Sequence, residues 1–141
     1  AFKHLSTMNR THLEGAAEAL AAQQGYAFHT GPEDGMAHTM RSYPAAWLAP
    51  LELHAVEGRG HGRATYNMTL HLLSSGARLS PAERRTALAR MEEQLLEIFA
   101  ALSLDERVLA VEGLSVRPRA FALTPHGEIS QTAAARIVTF F

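Results

Sequence analysis

Cysteine is absent from all 141 residues, which removes disulfides, thiol nucleophiles and thiolate metal sites together. The same absence fits a reducing compartment. No cationic excess exists either: 13 Lys and Arg stand against 14 Asp and Glu, a formal charge of −1 with histidine neutral. Duplex-binding modules normally carry a clear basic surplus, so that class is disfavoured. No apolar run reaches the roughly 20 residues needed to span a bilayer. "AFKHLSTMNR" lacks the apolar centre of a secretion signal. These absences predict a soluble, cytoplasmic chain with no membrane partner. With almost no net charge to keep copies apart, the chain is also a candidate for self-association. Aromatic residues are scarce at 7%, yet two of them, Phe140 and Phe141, close the sequence.

Apolar residues at 47% and charged residues at 19% describe an ordinary globular chain, long enough for one domain with a core. "THLEGAAEALAAQQG" predicts a first helix, with Thr11 and Glu14 at capping-box spacing and Gly25 at its end. "YAFH" predicts a short strand, and "TGPEDG" a turn. Strand character is expected over about 37–41 and again over about 51–57, with Pro44 and Pro50 excluding a regular strand across their own positions. "RATYNMTLHLL" alternates cleanly. Tyr66, Met68, Leu70 and Leu72 share one face, while Thr65, Asn67, Thr69 and His71 share the other. Two extended runs around "GRGHG" predict a β-hairpin. "SPAERRTALARMEEQLLEIFAALS" predicts a second helix, with Ser80 as N-cap, Pro81 at the first helical position and Glu83 completing a capping box. Leu88, Met91, Leu95, Ile98, Phe99 and Leu102 form its apolar stripe. The remainder predicts a strand, a short strand, a turn at Pro125 and Gly127, and a long final strand. The whole is a single α+β domain over residues 1–141, with two helices packed on a mainly antiparallel sheet that includes a long hairpin.

Catalytic patterns are weak. His54, His61 and His71 lie on or near the hairpin, but no HExxH or His-x-His spacing accompanies them, so no metal site is expected. Ser115 and Ser130 fall in predicted strands and outside any GxSxG elbow. Adjacent Glu92 and Glu93 point in different directions on a helix. "GRGHGR" lacks the lysine and the strand-to-helix setting of a phosphate loop. These readings predict no enzyme activity, no cofactor and no metal. Arg59, His61 and Arg63 make the hairpin tip locally cationic, a candidate contact for nucleic acid or an acidic partner. Trp47, in "YPAAWLAP", reads either as a core residue or as a docking surface. In "ISQTAAARIVTFF", apolar residues occupy both faces of the final strand. One terminal phenylalanine is therefore expected in the core and the other under a helix or a neighbouring subunit. Trp47, Phe140 and Phe141 are the candidate interface residues.

Three stretches, "YPAAWLAPLELHAVEGRGHGRATYNMTLHLL", "LSPAERRTALARMEEQLLEIFAALSLDERVLAVEGLSV" and "LTPHGEISQTAAARIVTFF", cover most of the chain. In their order of helix, extended hairpin, capped central helix and terminal strands they resemble the tail terminators of long-tailed bacteriophages and related neck or tail-completion proteins. That resemblance implies a phage or prophage structural subunit. It would assemble as a ring, typically hexameric, that caps the tail tube and joins it to the head connector. Its partners would be further copies of itself, the tail-tube protein and a head-completion protein, with DNA passing through the lumen without sequence-specific contact. It would act in the host cytoplasm during assembly and then in the virion tail. The family has no short invariant motif, so no residue role transfers from it. The rival reading from the residues is a small dimeric α+β module that binds a ligand in a deep apolar pocket.

Overall fold

The computed structural model describes residues 8–39, 42–59, 61–119, 122 and 127–140. Helix α1 (Asn9–Gln23) starts two residues ahead of the predicted cap, so Thr11 sits inside its first turn and no side chain caps it. Its other end follows the sequence. Gly25 adopts φ +88°, and the Gly25 and Tyr26 amides bond back to the Ala22 and Ala21 carbonyls at 3.0 Å each. This paired arrangement satisfies two of the last carbonyls of the helix. Helix α3 (Pro81–Leu102) has the expected capping box. Ser80 Oγ accepts from the Glu83 amide at 3.1 Å, and Glu83 Oε1 accepts from the Ser80 amide at 2.9 Å. The burial of Met91, Leu95, Ile98, Phe99 and Leu102 follows the predicted stripe, with Leu88 packed at its edge.

Among the described residues, six strands form one sheet: β1 (Ala27–Thr30), β2 (Ala45–Leu48), β3 (Glu52–Arg59), β4 (His61–Ser74), β5 (Val108–Pro118) and β6 (Ile129–Phe140). Their order is β1-β2-β4-β6-β5, with β3 paired to the first half of β4. Among the described residues, only β1 and β2 run parallel. The fold is α+β, with two long helices on a mainly antiparallel sheet. The hairpin is β3 and β4, closed between Arg59 and His61.

Two expectations are corrected. A short helix α2 (Met36–Thr39) follows a one-turn 3-10 helix at Glu33–Gly35, where part of a strand over 37–41 was expected. Tertiary contact decides this: Met36 is buried against Ala45, Trp47 and Leu73. Strand β2 lies between the two prolines, in four buried residues too few to show a period. The first strand expected after α3 is β5, whose register shifts between Glu112 and Ser115 at a bulge around Gly113, and the turn expected at Pro125 lies outside the described residues.

The register sorts the long strands into two faces. Toward α1 and α3 point Met68, Leu70, Leu72, Ala133, Ala135 and Ile137, together with Ala46 and Leu48 of β2. On the opposite face the cross-strand pairs are Arg63–Phe140, Thr65–Val138, Asn67–Arg136, Thr69–Ala134, His71–Thr132 and Leu73–Ser130. Among the described residues, segment 33–39 covers one end of that second face, above Trp47, His71 and Leu73.

Candidate functional site

The uncovered part of the second face holds a shallow groove of about 480 Å³. Its floor is Asn67, Thr69 and Ala134. Glu33, Pro50 and Glu52 stand on one side, and Gly113, Ser115 and Arg136 on the other. One cross-strand row runs through it, Glu112–Arg136–Asn67–Glu52, one residue from each of β5, β6, β4 and β3. The bulge shapes its basic end. Gly113 has φ +62°, a backbone region that glycine enters without strain. A Cβ there would come within 3.2–3.4 Å of the Arg136 guanidinium. Removing one methyl group therefore lets Arg136 lie flat against β5.

Beside the groove, the buried His71 joins three elements. Its Nε2 is 2.6 Å from Glu33 Oε2, and its Nδ1 is 2.7 Å from Thr132 Oγ1. A carboxylate only accepts, so neutral His71 donates from Nε2 to Glu33 and accepts the Thr132 hydroxyl at Nδ1. Burial lowers the pKa of His71 from the ordinary imidazole value. The attraction of Glu33 opposes this, and the charge of Arg119 adds a smaller depression. The unfolded chain therefore takes up this proton at higher pH than the native state. The stability that neutral His71 contributes is complete above its unfolded pKa of about 6.5 and is lost as pH falls through the lower folded value. Urea unfolding is expected to weaken between about pH 7 and 5, with a shallower slope in His71→Gln. Equal slopes for the two proteins would contradict this.

The three histidines do not converge. His61 and His71 are ten residues apart on one strand, roughly 33 Å, and His71 is engaged by Glu33 and Thr132. Among the described residues, no group of three His, Asp or Glu side chains is placed to hold a metal. Ser130 is only 1% exposed, closed to any substrate, whereas Ser115 lines the groove.

Trp47 is not a docking surface. It is 2% exposed, donates from Nε1 to the Gly31 carbonyl at 2.9 Å and stacks on His29 with ring centroids 6.0 Å apart. Its neighbours on the second face, Leu73 and Met36, close it from outside. Phe140 is 44% exposed on that same face, opposite Arg63, while Val138 is 8% exposed. The end of β6 is held in place: Asn9 Nδ2 donates to Thr139 Oγ1 at 3.2 Å and to the Phe140 carbonyl at 3.1 Å, and Thr139 Oγ1 donates to the Ala64 carbonyl at 2.7 Å. Phe141 lies outside the described residues. At the hairpin tip, Arg59 pairs in register with His61 and Gly58 with Gly62, and the exposed Arg63 stands across from Glu57.

The groove residues were only partly visible beforehand. Alternation placed Asn67 and Thr69 on a polar face, but register alone brings Glu52, Arg136 and Glu112 into line with them. Neither protein-family models nor curated proteins match this chain.

Proposed function

We propose that the chain is a self-assembling structural subunit that closes into a ring, in the manner of the phage tail terminators it resembles. Such a ring caps a tail tube and presents its other face to a head-completion protein, with DNA passing through its lumen. The observation that carries this reading is the pair of unlike sheet edges, neither of which another described strand pairs. On one side of the sheet, β3 exposes Leu53 (51%) and Val56 (55%). On the other, β5 is an edge strand of 11 residues with Leu109 exposed at 49%. Unpaired strand edges with exposed apolar residues are surfaces that other chains complete. Where the two edges differ, contact between copies is head-to-tail, and a head-to-tail contact that closes makes a ring. A ligand-binding dimer calls for a deep apolar pocket, and the groove found here is shallow with polar and charged residues along it.

At low salt and high concentration, light scattering is expected to give a mass of three or more copies, with rings in electron micrographs. A discrete two-copy particle with two-fold symmetry would overturn the proposal.

A further inference from the structure

We infer that the outward face of α3 carries a second contact between copies, in which two α3 helices pair antiparallel across a two-fold axis at Ala89. The contact uses neither sheet edge, so it goes beyond the ring reading and stands or falls separately from it.

Opposite the buried stripe of α3 lie Ala82, Arg85, Ala89, Glu92, Glu93 and Leu96, all exposed. Their spacing of three or four residues sets them along one side of the helix. Leu96 is 46% exposed there, an apolar side chain left in water. The charges on this side are sorted by position. Arg85 lies about one turn before Ala89, and Glu92 and Glu93 lie about one turn after it. Among the described residues, none of the three has an ion-pair partner. Sequence spacing accounts for this. No opposite charge stands three or four positions from Arg85 or Glu92, and Glu93 has only Arg90, whose charge acts on Tyr26. The other charges of the helix are engaged elsewhere: Glu83 in the cap, Arg84 on the Gly76 carbonyl, and Glu97 on Gln24 beside α1.

A second copy of the same helix supplies the missing partners. Turned antiparallel about Ala89, position 85 of each chain meets positions 92 and 93 of the other, so each arginine comes between two carboxylates. The same turn sets Leu96 of each chain over Ala82 of the other. The small side chain of Ala89 lets the helix axes approach to about 8 Å. A two-fold contact makes each of these pairs twice. Parallel pairing would instead set arginine against arginine and glutamate against glutamate, so repulsion selects the antiparallel arrangement.

Cross-linking tests this. Ala89→Cys places one thiol on the proposed axis of a chain that has no other. A short bis-maleimide is expected to link two copies there. Positions 82 and 96 lie roughly 21 Å apart along the helix. Ala82→Cys and Leu96→Cys should therefore each stay single alone and link to one another when mixed. Charge variants in the Ala89→Cys chain then test the pairs. Arg85→Glu brings like charges together and should lower the yield at least about tenfold, as should Glu92→Arg/Glu93→Arg. An equal mixture of those two charge variants should recover the yield, because glutamate then meets arginine on both sides of the axis. All these positions are exposed, and the melting temperature of each variant checks that folding is unchanged. Absence of linked Ala89→Cys chains at about 1 mM protein would overturn the helix contact and leave the ring untouched. Efficient self-linking of Ala82→Cys, or a mixture of charge variants that does not recover, would overturn it equally. Linking at position 89 without any edge-to-edge joining would support the helix contact and remove the ring.

Discussion

Truncating Leu95 or Phe99 to alanine is expected to cost about 2–5 kcal/mol at each position. Both side chains lie in the second half of α3 and are 0% and 1% exposed. They belong to the same core cluster as Met68, Leu70, Ala133 and Ile137 of the two central strands. Alanine removes the apolar area and also leaves a hole that a close-packed interior does not fully collapse into. A domain of this size typically has only about 5–15 kcal/mol in total, so the double variant should be largely unfolded. Urea unfolding of each single variant provides the measurement. Losses below about 0.5 kcal/mol at both positions would mean that α3 does not pack as described.

Trp47→Ala is expected to cost about 3–5 kcal/mol in the isolated chain, before any partner is added. The indole is 2% exposed, donates to the Gly31 carbonyl and holds segment 33–39 through its cluster with Met36 and Leu73. Truncation would leave a cavity and an unmatched carbonyl together. Trp47→Phe keeps most of the packing and loses the hydrogen bond, so it should fall well short of alanine. Because Trp47 is the single tryptophan, its emission reports this site alone. Native protein should emit at short wavelength and resist quenching by acrylamide until it unfolds. Emission typical of exposed indole in the folded monomer would return Trp47 to the surface.

The helices and long strands were legible because each carries its own local instructions. Ser80, Pro81 and Glu83 specify where α3 begins, and the alternation from Thr65 to Leu72 specifies both a strand and its polar side. What was hidden depends on partners distant in sequence. Segment 36–39 turns helical because Met36 has Leu73 and Trp47 to bury against. Four residues between Pro44 and Pro50 form a strand because β1 and β4 flank them. The groove was hidden for the same reason. Glu52, Asn67, Arg136 and Glu112 span 85 positions of sequence, and only the register of four strands aligns them. Gly113 sits inside one strand as the bulge that makes room for Arg136, and only the register across β5 and β6 gives it that role.

The absence of cysteine gives direct access to the central claim, that copies join through unlike edges. Val56→Cys places a single thiol on the exposed β3 edge, and Leu109→Cys places one on the exposed β5 edge. Each single variant and the double variant would be treated with a short bis-maleimide and separated by mass under denaturing conditions. Head-to-tail contact predicts that each single variant stays monomeric, that an equal mixture of the two gives covalent dimers, and that the double variant gives a ladder of three or more linked copies. Efficient dimerisation of either single variant, with the double variant stopping at two copies, would show like edges meeting and would contradict the ring.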